Sequence, residues 1–385
     1  MKVTSLLLCF ISLSFLWGQE NSNDSALFYY QNFEFQKAIS ILESSGAKME
    51  SNEIYLLGKA YQKTGQLEKA KKAYFIASQK DSNNIALRNE LAKSYYQNKQ
   101  YDSALLCFNH LLSIQKNNGY YWKQIGKIHT ATNNYFEAIS AYKSAINLNS
   151  NDLESSIELV KLLMKIELYD TAYESIITAI ESYPANRTLL KLQLKLDYSM
   201  GKNKELIAVA EKLFQLEDSS ILTQKLLGIT HYHEKNYEDA IHFLENVLEV
   251  DTKSETLHYY LGLSYRENGN QKLAADYLEK AIDLGVSDNL GTYYTQLAVS
   301  YEEGQNFKKS IHAYKIAYKS TKNKILLYHL ARNYDLFYKD KSIAIKYYEK
   351  YLASNDSAND NYFDYTKYRI QELKMQKHFN LDTLN

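Results

Sequence analysis

The chain has 385 residues, and its 45 Lys and Arg balance 45 Asp and Glu, which excludes a nucleic-acid binder that works by bulk charge. One Pro and 13 Gly in the whole chain favour long runs of helix and argue against a many-turned β fold. So long a chain exceeds one ordinary core, and its 36 Tyr need a home.

The start reads MKVTSLLLCFISLSFLWGQE: one Lys2, an apolar run from Leu6 to Trp17, small Gly18, then polar QENSND. This pattern predicts a secretory signal peptide over residues 1–18, cleaved near Gly18–Gln19. About twelve apolar-leaning residues are few for a bilayer span; a retained anchor is the alternative. The chain is therefore expected to be exported, periplasmic or envelope-associated, or secreted. Cys9 lies inside the apolar run, so the mature chain keeps only Cys107 and forms no internal disulfide. Beside Phe108, in an apolar helical pattern, Cys107 is expected in the core rather than as a nucleophile.

Residues 19–352 repeat. NNYFEAISAYKSAIN, from Asn133, is echoed by KNYEDAIHFLENVLE, from Lys235. With Ala138 as anchor, steps near 34 residues pass through Ala38, Ala70, Ala104, Ala172, Leu206, Ala240, Ala274, Ser310 and Ile343. Nine residues before the anchor stand Tyr29, Tyr61, Tyr95, His129, Leu163, His231, Tyr265, Tyr301 and Tyr334. Twelve before it stand small residues such as Ala26, Gly58, Ala92, Gly126, Gly228 and Gly262. Four after it come Tyr74, Phe108, Tyr142, Ile176, Leu244, Leu278 and Tyr314. Offsets of three, four and seven share one helix face. Each unit is thus a helical hairpin, its polar turn carrying Gly65, Asn98, Asn133 or Gly269, residues that accept a left-handed helix end. Asp81-Ser82-Asn83 and Asn149-Ser150-Asn151 supply N-caps between units. The unit around Leu206 departs most from the pattern and is read as a degenerate repeat with a local bend.

This period, with Trp122, Gly126, Ala138, Tyr142 and Ala145 in one unit and Pro184 closing another, resembles the tetratricopeptide repeat family. The resemblance implies an all-α, right-handed superhelical solenoid of about ten helix–turn–helix repeats. Residues 353–385 then supply a polar loop, a capping helix with Phe363, Ile370 and Leu373 on one face, and a tail.

No catalytic, cofactor or metal constellation stands out, so the chain is read as a non-enzyme without cofactors. His231 and His233 are the best metal-like spelling, but residues two apart on a helix do not face each other. His231 and His129 fill a slot that holds Tyr elsewhere, so core or half-buried histidines are expected.

The resemblance implies that the first helix of each hairpin lines a concave groove. Eleven before the anchor stand Lys59, Lys93, Lys127, Lys161, Lys195 and Arg332, and fifteen before it Lys123, Lys191 and Lys225. Lys63 and Lys165 join them, with Tyr55, Tyr96, Tyr198, Tyr232, Tyr259 and Tyr328. Glu267, Glu302, Glu303 and Asp335 make the far end acidic. The expectation is a basic, Tyr-rich groove that holds an acidic protein or peptide segment. The competing reading is a set of solvated lysines inherited by duplication. Chaperone-binding members of the family use a Lys/Asn/Arg clamp. Its Asn is missing beside Lys123 and Lys191, so that activity is not carried over. The function expected is a scaffold or adaptor of the bacterial envelope. The alternative is a glycan or other ligand in the same groove. No nucleic acid is expected as partner, and no run after residue 20 is apolar enough for a transmembrane segment.

Overall fold

The computed structural model describes residues 22–285, 288–354 and 362–382, so the expected signal segment and most of the polar loop lie outside it. All regular structure in the described residues is helical, in two compact units that divide at Pro184–Ala185.

The first unit holds five hairpins: α1 (Ser22–Gln31) with α2 (Phe35–Ser45), α3 (Ser51–Lys63) with α4 (Leu67–Lys80), and α5 (Ile85–Gln97) with α6 (Tyr101–Ile114). Then come α7 (Gly119–Ala131) with α8 (Tyr135–Leu148), and α9 (Leu153–Lys165) with α10 (Tyr169–Ser182). The second unit holds α11 (Arg187–Met200) with α12 (Asn203–Gln215), α13 (Ile221–His233) with α14 (Tyr237–Leu248), and α15 (Glu255–Glu267) with α16 (Gln271–Leu284). It continues with α17 (Leu290–Glu303) and α18 (Phe307–Thr321), α19 (Ile325–Phe337) and α20 (Ser342–Ser354), and a last helix, α21 (Phe363–Asp382). Within a unit, each second helix packs on the next first helix, and first helices follow one another side by side.

Local chemistry sets the boundaries. The caps lie just past the polar triplets: Asn84 accepts from the Ala86 and Leu87 amides, Asn118 from Tyr120, Asp152 from Ser155 and Asn186 from Leu189. Each is worth about 1 kcal/mol. In nine hairpins the residue five before the anchor takes positive φ: Phe33, Gly65, Lys99, Asn133, Glu167, Gly201, Lys235, Gly269 and Gln305. The next amide then reaches back to the carbonyl nine before the anchor, as in Gln66 to Tyr61 at 2.8 Å and Gln305's successor Asn306 to Tyr301 at 2.7 Å. This is the Schellman closure. Asn98 does not take the left-handed position expected of it; its φ is −85° and Lys99 takes that position at 58°. The geometry of closure selects the offset, and a Cβ there is tolerated at roughly 1 kcal/mol.

The small residues twelve before the anchor admit the large residue four after it. A Cβ on Gly126 would lie 2.8 Å from the Tyr142 ring, and one on Gly262 would lie 2.6 Å from Leu278 Cγ. The departing hairpin obeys the same volume rule in reverse: Leu194 stands at the small position and Ala210 at the large one, both fully buried. The Tyr excess finds its home at the joints. Tyr61, Tyr265 and Tyr301, nine before their anchors, donate to Glu43, Glu245 (2.6 Å) and Glu279 of the preceding hairpin. Burial, then the glutamate, raises each phenol well above the usual tyrosine range.

Helix α21 docks like the first helix of one more repeat. Tyr362 stacks on Tyr328 at 4.4 Å, 34 residues apart, as Tyr293 stacks on Tyr259 at 4.5 Å. Ile370 and Leu373 are buried, Thr366 lies with them, and Phe363 is half-buried. Five residues past the stacked Tyr, where α17 has Ala298 against its second helix, α21 carries exposed Lys367. A cation there offers no seat to a partner helix, so α21 acts as a cap on the described stack.

Candidate partner-binding face

In the first unit the expected lysines do line up on the first helices, but most carry their own counter-charge. Lys59 sits over the Tyr30 and Tyr55 rings at 5.5 and 5.4 Å. Lys93 pairs with Glu90 at 2.8 Å and lies over Tyr120; Lys161 pairs with Glu158 at 2.8 Å. Both acids stand one turn back on the same helix, where i,i+3 pairs meet. Lys123 reaches Asp152 and Glu154, each at 3.1 Å, and Lys127 reaches Glu154 at 2.5 Å. Lys127 is the main influence that holds the Glu154 carboxyl below its usual range; burial opposes it and Lys123 adds to it. Tyr96 is half-buried against Tyr101, and Lys165 covers Tyr135 at 4.7 Å. The free basic stripe is thus a zwitterionic one.

The second unit presents rings. Tyr232 meets Tyr260 at 5.5 Å, Tyr260 meets Tyr259 at 5.5 Å, and Tyr259 stacks on Tyr293. Tyr198 is 38% exposed, and the phenol of Tyr260 is pushed up to about 12, chiefly by burial and then by the neighbouring Tyr198. Lys191 pairs with Asp218 at 2.7 Å. Lys195 and half-buried Lys225 have no ion pair among the described residues, and Lys195 is exposed. At the acidic end, Glu267 binds Arg266 at 2.7 Å and Glu302 binds Arg332 at 3.0 Å. Two expected face residues are withdrawn from solvent. Tyr328 lies under Tyr362, and Asp335 is held by Arg369 at 2.8 Å and Lys341 at 3.4 Å. The capping helix covers both.

Sequence reasoning passed over Tyr30, Tyr120, Tyr260 and Tyr293, and above all Asp197. Asp197 stands nine before Leu206, in the slot of the joint tyrosines. It is fully buried, and neither carboxylate oxygen has a hydrogen-bond partner. Burial, eased by Lys202 and worsened by Glu205, raises its pKa to about 7. Tyr30 shares the offset of Tyr96, Tyr198 and Tyr232, so that signal was present.

The remaining histidines and the cysteine singled out by sequence sit in packing or exposed positions. His231 is half-buried and stacks on Phe243 at 5.6 Å, and burial lowers its pKa. His233 is exposed. Cys107 is half-buried rather than fully in the core, and burial pushes its thiol up. Among the described residues no three His, Cys, Asp or Glu gather to hold a metal. No described helix is long and apolar enough to cross a membrane.

A stack of 34-residue helical hairpins with an anchor Ala and a small–large pair defines the class. The family model of the tetratricopeptide repeat matches residues 226–288, and a second model of the same repeat matches 54–74, 85–118 and 120–152. The chain belongs to the tetratricopeptide repeat family, whose members generally mediate protein–protein interactions. It is 28% identical over 89 residues to a peroxisomal targeting signal receptor of Candida glabrata, a match over 23% of this chain and only 15% of that receptor's length. A tetratricopeptide repeat protein from Parabacteroides merdae is 18% identical, with 64% of this chain and 98% of that one covered and a TM-score of 0.45. The APC/C hetero-tetramer Cut9–Hcn1 is 13% identical, with 91% and 83% covered and a TM-score of 0.44.

Proposed function

We propose that this chain is a non-catalytic scaffold or adaptor of the bacterial cell envelope that holds a protein or peptide segment on the face of its first helices. One observation carries the reading: each unit presents recognition-type side chains on its first helices, lysines in the first unit and tyrosine rings in the second. The tyrosine–glutamate bonds that join hairpins use other offsets, nine before and five after the anchor. Tyr offers broad contact at low entropic cost, and Lys steers an acidic partner. A relative named as a targeting-signal receptor fits a repeat that reads a protein segment. The signal-like start of the chain supports export.

Reversing two face charges, Lys127→Glu with Lys161→Glu, is expected to weaken partner capture from envelope extract about tenfold at low salt, with helicity by circular dichroism unchanged. Undiminished capture contradicts the reading. Binding of a glycan array in place of a protein assigns the face to carbohydrate.

A further inference from the structure

Two lysine pairs share one spacing. Lys123 and Lys127 stand a turn apart on α7, and Lys191 and Lys195 a turn apart on α11, at the same offsets from their anchors. In each pair the first lysine is tied to a nearly buried aspartate, Asp152 at 3.1 Å and Asp218 at 2.7 Å. Both aspartates have local duties. Asp152 accepts from the Ser155 amide, and Asp218 from the Ser220 amide.

The second lysines differ. Glu154 binds Lys127 at 2.5 Å and Lys123 at 3.1 Å, closing one carboxylate over both ammonium groups. Its side chain is 51% exposed, so packing does not dictate its place. Glu154 stands eighteen before its anchor; the same offset in the hairpin after α11 is Leu222. A leucine supplies no carboxylate, and Lys195 is left exposed without an ion pair among the described residues. The same two cations thus occur once closed and once open.

We propose that Glu154 is a built-in competitor, seated where a carboxylate of an acidic partner segment would sit. The Lys191/Lys195 pair is then the open anion seat, and the Lys123/Lys127 pair is the same seat kept closed. This deepens the function proposed above and rests on it: the partner segment carries side-chain carboxylates, and Glu154 sets how many of them the face accepts. An exposed carboxylate in high dielectric is displaced readily, since such a pair is worth at most about 1 kcal/mol.

The test uses the full chain and a fluorescein-labelled, C-terminally amidated glutamate–glycine peptide, with its glutamine counterpart as control, followed by anisotropy at low salt. Lys195→Ala is expected to weaken binding of the glutamate peptide about fivefold. Glu154→Gln is expected to strengthen it about three- to fivefold, and adding Lys127→Ala to Glu154→Gln is expected to erase that gain. Wild-type affinity in Glu154→Gln, alongside weakened binding in Lys195→Ala, overturns the competitor and leaves the open seat standing. Equal binding of both peptides by every variant overturns both seats. The face itself stands or falls separately, on partner capture.

Discussion

Replacing Asp197 by Leu is expected to stabilise the second unit by roughly 2–4 kcal/mol at about pH 8, and by much less at about pH 5. The carboxylate is fully buried, has no hydrogen-bond partner, and has its pKa raised to about 7. In the unfolded chain the group titrates near the ordinary value of 3.8. The folded state therefore binds the extra proton between those values. Below about pH 4 both states are protonated and the penalty vanishes; it grows as pH rises and is complete above about pH 7. Leu163 fills the corresponding slot of the preceding hairpin and is itself buried, so the position accepts that side chain. Urea unfolding followed by circular dichroism at both pH values checks the gain and its sign. A gain equal at the two values, or a loss at about pH 8, contradicts the burial account.

The second large effect concerns the small–large pair. Gly126→Leu is expected to cost about 3 kcal/mol or more, because even a Cβ would meet the Tyr142 ring at 2.8 Å and a close-packed joint has no room to yield. Tyr142→Ala alone opens a cavity and costs about 3–5 kcal/mol. Combined, the two are expected to cost at least about 2 kcal/mol less than their sum, since Leu194 and Ala210 already pack in that inverted order. The coupling energy of this cycle is the readout. Simple addition of the two penalties contradicts the volume rule.

These residues also show what sequence makes legible. The period is visible because Gly58, Gly126, Gly228 and Gly262 face a bulky residue at one fixed offset, and packing tolerates few exceptions. Leu194 with Ala210 hid in plain view because a search for one small residue at one offset does not see a conserved volume sum. Turn identity failed at Asn98, where helix closure chooses the next residue, Lys99, whatever its side chain.

The face was half legible. Its lysines fall where the offsets put them, but their partners come from elsewhere: Glu154 from the next hairpin, and Arg369 on Asp335 from the capping helix. Reading one helix face at a time shows the cations and not the acids that cross to meet them. Asp197 is illegible for a related reason: a carboxylate in the tyrosine slot breaks the period, and only the burial of that slot makes it consequential.

The most direct test of the central claim is site-specific photocrosslinking in cells that make the protein. A benzophenone side chain is placed at exposed Tyr198 on a first helix or, for comparison, at Leu106 on a second helix, which is 72% exposed. The account predicts a discrete adduct with a partner chain from position 198 and none from position 106. An adduct from position 106 with none from position 198 contradicts it.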